Sequence, residues 1–312
     1  MQVPPQYFAR LSESWQDRTP ESRAILLMCL STLGFAIMHV IIRYTTQNTD
    51  LHSFQIAFFR NVFGMIVFLP ILITQGTAFL KTERLPLHGI RSLFNIGAML
   101  MFFYALSITE VAHVTALAFS APIFAGILSV VFLGERFRIR RWMAIGVGVI
   151  GMLVIVRPGI IPVGLGPILV ITSAFLWAVV LTIIKVMSRT ESSLTIVAYM
   201  NIFLAIYALG PALYVWVWPT WDGWLLMGAI AVFGTVAQLS VSQAVKEADQ
   251  TLIMPYDFLR LIWVAIMGYF IFGEVPDIFI WVGGAIIFAS GAYLAFRERR
   301  LAQDRAADSA TK

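Results

Sequence analysis

Ten mostly apolar stretches follow one another along the chain, nearly all about the length a helix needs to cross a bilayer. They cover roughly 24–44, 53–74, 88–107, 111–133, 141–156, 165–187, 194–216, 223–245, 249–272 and 278–297. They lack period-two alternation and are too long for strands, so the spacing predicts ten transmembrane helices. Composition agrees: 59% of the 312 residues are hydrophobic and 12% are charged, against about a quarter charged in soluble domains. The first apolar run is too long for a signal-peptide core and reads as a retained span. Residues 1–23 and 298–312 are then cytoplasmic tails, the second a disordered, solvated flank. The lone Cys29 excludes a disulfide framework, and the four histidines show no metal-ligand spacing.

Basic residues set the orientation. With the N-terminus inside, the inner segments hold eighteen of the 22 lysines and arginines, and the outer loops hold Arg43 and Arg157. Both termini are therefore expected in the cytoplasm. The net charge of +5 is accounted for by topology, and no nucleic-acid partner is expected.

The chain repeats itself. "FLGERF" at 132–137 matches "IFGEVP" at 271–276, so Gly134 and Glu135 fall on Gly273 and Glu274, an offset of 139 that also carries Trp142 onto Trp281. The halves are about 24–157 and 165–297, five spans each. Five is odd, so the copies must cross in opposite senses. Inverted repeats of this kind occur in secondary transporters, with the site near the midplane between halves. A duplication that only builds a stable bundle is the plainer alternative.

Two arginines lie inside predicted spans. Arg60, in "FFRNVFGMIVFLP", is seven residues into the second, about 10 Å deep, where a charge costs roughly 2.5–3.5 kcal/mol. Arg260 is about 12 Å into the ninth, three residues after Asp257 and on the same helix face. The inventory is two cations against one anion, an excess that would attract a carboxylate-bearing solute. The alternatives are a packing arginine at 60 and a self-satisfied Asp257–Arg260 pair. Asp257 is the deep group able to exchange a proton, but the guanidinium one turn away supports its charge, so binding and gating is the preferred role. Pro122 and, as its approximate counterpart, Pro255 are expected to kink the fourth and ninth spans as gating points. Tyr104, Ser120, Tyr199, Asn201 and Gln238 complete the candidate substrate-binding set, with Asn201 at about the place of Arg60 in the other half. Gly146, Gly148, Gly151, Gly283 and Gly284 read as helix packing or a homodimer surface.

The segments "ALSITEVAHVTALAFSAPIFAGILSVVFLGERF" (105–137) and "IFGE" (271–274) resemble the drug/metabolite transporter superfamily, specifically its ten-helix EamA-domain proteins. "LHSFQIAFFR" (51–60) and "MPYDFLR" (254–260) are similar to a subgroup that includes S-adenosylmethionine and riboflavin uptake carriers. The resemblance covers about 24–297. It implies an inner-membrane secondary carrier of a small organic metabolite, working by alternating access without ATP, metal or cofactor; it sets the class and not the cargo, which the charge inventory points to as carboxylate-bearing and the aromatic residues as planar. The superfamily holds importers and exporters, so export of amino acids or drugs stays open. A membrane-embedded lipid-modifying enzyme is the alternative of another class. It would need paired acid/base or metal groups at one membrane face, and the short loops show none.

Overall fold

A computed structural model describes residues 19–66, 81–133, 139–159, 164–187, 190–191, 193–248 and 250–310. Among these, twelve helices make ten spans: α1 (Pro20–Asn48), α2 (Ser53–Ile66), α3 (Leu85–Ile108), α4 (Val111–Ala118), α5 (Ala121–Leu133), α6 (Ile139–Val156), α7 (Leu165–Met187), α8 (Ser193–Tyr214), α9 (Trp221–Glu247), α10 (Gln250–Asp257), α11 (Leu259–Phe272) and α12 (Ile278–Ala310). The fourth span is α4 with α5 and the ninth is α10 with α11. The chain is an all-helical, multi-pass membrane protein. The end where α1 begins is called proximal here, and the end where it finishes distal.

Several boundaries differ from expectation. The last helix does not stop near 297 but runs to Ala310, since the alanines and charges after 297 are good helix formers. Residues 20–23 are not tail but the first turn of α1, where Thr19 Oγ1 accepts from the Ser22 N–H at 3.3 Å and Pro20 suits the first position. Arg43 is no loop residue; it is 9% exposed within α1. Arg91 is fully buried within α3. The Gly134-Glu135 turn and the predicted end of the second span, 67–74, lie outside the described residues.

The packing is two-fold. The broadest contacts join α1 to α9, α6 to α12, α3 to α7 and α2 to α8. Each crosses from one half to the other. Exchanging the halves turns the α1–α9 contact into α7–α3 and maps α2–α8 and α6–α12 onto themselves. The inverted repeat is thus an interlocked bundle. At α6 against α12, a Cβ on Gly151 would stand 2.9 Å from the Gly283 carbonyl, and one on Gly283 would stand 2.7 Å from the Gly151 carbonyl. Ser290 Oγ donates to Ala144 O at 2.6 Å beside them. These two glycines therefore serve a contact inside the chain, whereas Gly146 meets nothing.

Candidate functional site

Both broken spans break at the same place. The fourth is interrupted at Phe119–Ser120 and the ninth at Phe258, and 258 is 119 plus the repeat offset of 139. Phe119 and Phe258 keep right-handed φ/ψ, and the local bonds tighten to i→i−3: the Ser120 N–H donates to Leu117 O and the Leu261 N–H to Phe258 O, both at 3.0 Å. The two rings stack with centroids 6.0 Å apart at 29°, so the pseudo-two-fold axis passes between them. The prolines are not equivalents. Pro122 follows its break by three residues, at the second position of α5 where a missing N–H costs little. Pro255 precedes its break by three and sits inside α10.

The charges gather around this axis. Arg260, in the first turn of α11, donates from Nη2 to Asp257 Oδ2 at 2.8 Å. Its guanidinium carbon stands 5.3 Å from the Phe119 ring and 5.8 Å from the Phe35 ring of α1. The pair is not sealed, with side chains 21% and 30% exposed. One turn along α1 from Phe35, His39 stacks on it at 6.4 Å and meets Phe102 edge-on at 5.0 Å. His39 is within electrostatic reach of both Arg260 and Arg60. Its Nδ1 is buried without a partner. His39 gave no signal in the sequence, because a lone histidine in "AIMHVII" carries no motif.

Arg60 is the group with unmet demand. Its Nη1 reaches Asn61 Oδ1 only at 3.5 Å, its Nε is buried without a partner, and no carboxylate of the described residues pairs with it. Gly234 of α9 leaves room, since a Cβ there would stand 3.3 Å from Arg60 Nε. The equivalence with Asn201 needs correction by one residue. At an offset of 140 in this span, one more than at the Gly-Glu pairs, Asn61 and Asn201 make the same bond: each donates Nδ2 to the carbonyl four residues back, Ala57 at 2.9 Å and Val197 at 3.1 Å. Arg60 therefore falls on Met200 and has no charged twin. Asn201 itself lies against α2, with Oδ1 3.7 Å from where a Gly64 Cβ would be.

Ser120 joins this group as a fully buried residue at the break, its Oγ unpartnered. Three expected residues lie elsewhere. Tyr104 stacks on His52 at 5.7 Å near Phe54 at the distal end. Tyr199 packs on His88 at 4.7 Å toward the proximal end. Gln238 is exposed on α9, and its carbonyl accepts from Ser242 Oγ at 2.7 Å. Helical spacing showed how deep these residues lie but not which way they face.

The two mouths differ. At the distal end Glu274 Oε1 pairs with Arg43 Nη2 at 2.5 Å, Glu274 Oε2 accepts the Val111 N–H at 3.1 Å, and Arg157 pairs with Asp277 at 2.7 Å. At the proximal end an open cleft of about 700 Å³ is lined by Glu21 of α1, Lys246 and Glu247 of α9, Leu252 of α10 and Phe296 of α12. Arg23 and Glu247 pair beside it at 2.8 Å. Among the described residues no His/Cys/Asp/Glu group could hold a metal.

The model of the EamA-like transporter family matches residues 22–157 and 164–296, once in each half. The chain is 31% identical to the S-adenosylmethionine uptake transporter of Rickettsia bellii, over 87% of this chain and 92% of that one. It is 29% identical to the riboflavin transporter of Vibrio cholerae, over 86% and 91%. It is 26% identical to the pseudopaline exporter of Pseudomonas aeruginosa, over 84% and 92%. A solved crystal structure superposes with a TM-score of 0.60 at 18% identity, covering 90% of this chain and 99% of that one, which speaks to the fold.

Proposed function

Because this chain belongs to the EamA-like transporter family, we propose that it is a secondary carrier of a small organic metabolite, moved by alternating access past a site on the pseudo-two-fold axis. The observation that carries the reading is Arg60: a guanidinium deep in a span, without a carboxylate partner among the described residues. A charge kept there at a cost of a few kcal/mol needs a return, and an anionic group on the cargo supplies it. The Asp257–Arg260 pair is internally neutral, so the net attraction comes from Arg60. Phe35 and Phe119, with Phe258 stacked on the latter, offer flat apolar faces beside Arg260. The substrate class is a solute with a carboxylate and a planar ring. Relatives named for S-adenosylmethionine and riboflavin agree with a ring-bearing cargo.

By the positive-inside rule the basic residues at the proximal end favour both termini on the cytoplasmic side of a cell membrane. Import is favoured by the relative named for S-adenosylmethionine uptake. The test is uptake by purified protein in liposomes. Solute should accumulate without chemical change, and conversion of lipid or solute would overturn the carrier.

A further inference from the structure

We propose that Glu274 is the distal gate of the carrier, a latch whose opening admits solute to the central site from that side. The inference rests on the carrier reading. Gly273 ends α11 with φ +69°, a left-handed conformation that glycine adopts without strain. Its N–H donates to Tyr269 O at 3.0 Å, and the Glu274 N–H donates to Gly268 O at 3.2 Å. This wrapped turn folds the Glu274 carboxylate back across the mouth of the bundle. One oxygen takes Arg43 of α1 and the other caps the first N–H of α4, where a helix N-terminus favours negative charge. Arg43 Nη1 in turn donates to Leu106 O at 3.0 Å and to Thr109 O at the end of α3. A single ion pair thus ties α1, α3, α4 and α11, taken from both halves.

Three of these helices carry the central site deeper down: Phe35 and His39 on α1, Arg260 on α11, and Phe119 directly after α4. The latch therefore holds shut the walls that must part for access. Both side chains are nearly covered, 10% and 11% exposed. A bond between charges holds firmly when dry, yet its two groups can separate into water without leaving apolar surface behind. The Gly-Glu pair in "IFGE" is then more than a turn: the glycine aims the carboxylate, and the carboxylate closes the mouth.

The experiment is double electron–electron resonance on the full chain with Cys29→Ala. Spin labels at 48 and 275 report the distal mouth, and labels at 21 and 252 report the proximal cleft. The parent should show one short distal distance. Glu274→Gln keeps an acceptor for Val111 but drops the charge; it should add a distal population longer by about 5 Å, on the scale of one helical turn, with the proximal distance shortening in step. A brace without gating would lower the melting temperature and leave both distances unchanged, which would overturn the proposal. If Glu274→Gln does not yield folded protein, Arg43→Gln, which removes the other charge, decides: an unchanged distal distance there overturns the latch equally. The distances need no solute. Missing flux with shifting distances would therefore discard the carrier and keep the latch, while flux with unmoved distances would do the reverse.

Discussion

Phe119 and Phe258 stack on each other across the interface of the two halves, 6.0 Å apart, and they are separated by the same 139 residues as the Gly-Glu pairs. Each marks the point where its span breaks. Arg260 lies against the face of the first ring, and His39 is within electrostatic reach of both Arg260 and Arg60. The axis of the inverted repeat is therefore also where the buried charge collects.

Phe119→Ala should weaken solute binding. It removes a stacking face for a planar ring and a cation–π contact of Arg260, each worth about 0.5–1.5 kcal/mol. A roughly tenfold loss in apparent affinity, with the protein still inserted and folded, is expected in equilibrium binding. Phe119→Trp should retain most of the affinity.

Asp257→Asn should make the site more cationic, because the Arg260 guanidinium loses its partner at 2.8 Å. A carboxylate-bearing solute should bind tighter and leave more slowly, so turnover falls while half-saturation drops. Flux measured against substrate concentration separates the two constants. An unchanged half-saturation would mean that Arg260 does not face the cargo.

Gly151→Val should destabilise the bundle without touching the site. The added carbons would meet the Gly283 carbonyl and the Ile286 and Ile287 side chains within 3 Å, and overpacking of this kind costs typically about 1–3 kcal/mol. Thermal unfolding in detergent should shift downward. Gly146→Val, which meets nothing, should leave it in place.

Glu110 gives the distal mouth a pH dependence. Burial, with the nearby charge of Glu274 next, pushes its carboxyl above the usual carboxylate range, Asp277 adding to this and Arg43 opposing it. A raised carboxyl means that the closed mouth binds the proton more tightly than open water does. The contribution to closure is full below the ordinary carboxylate value and is lost as pH rises through the raised one. Raising the pH on the distal side should therefore lengthen the distal spin-label distance, and Glu110→Gln should remove the effect.

The sequence carried the architecture well, because membrane spans announce themselves by length and the repeat by its Gly-Glu landmarks. The depth of Arg60 and Arg260 and the i,i+3 pairing with Asp257 were also legible, since both follow from helix geometry. Facing was not. Tyr104 and Tyr199 have the right chemistry but sit near opposite ends of the bundle, and only packing decides that. Arg43 looked like a loop cation because a polar run, Tyr44 to Asp50, follows it, and the carboxylate it pairs with is 231 residues away. His39 and the two phenylalanines at the breaks gave no local signal; the breaks arise where the halves meet.

The central claim is that the Arg60 charge is kept for the cargo. The direct measurement is uptake of labelled S-adenosylmethionine, which carries both a carboxylate and a planar ring, into liposomes holding the parent, Arg60→Lys or Arg60→Ala. The account predicts uptake by the parent, partial uptake with lysine and none with alanine, at equal amounts of folded protein. Uptake by Arg60→Ala equal to that of the parent would contradict it.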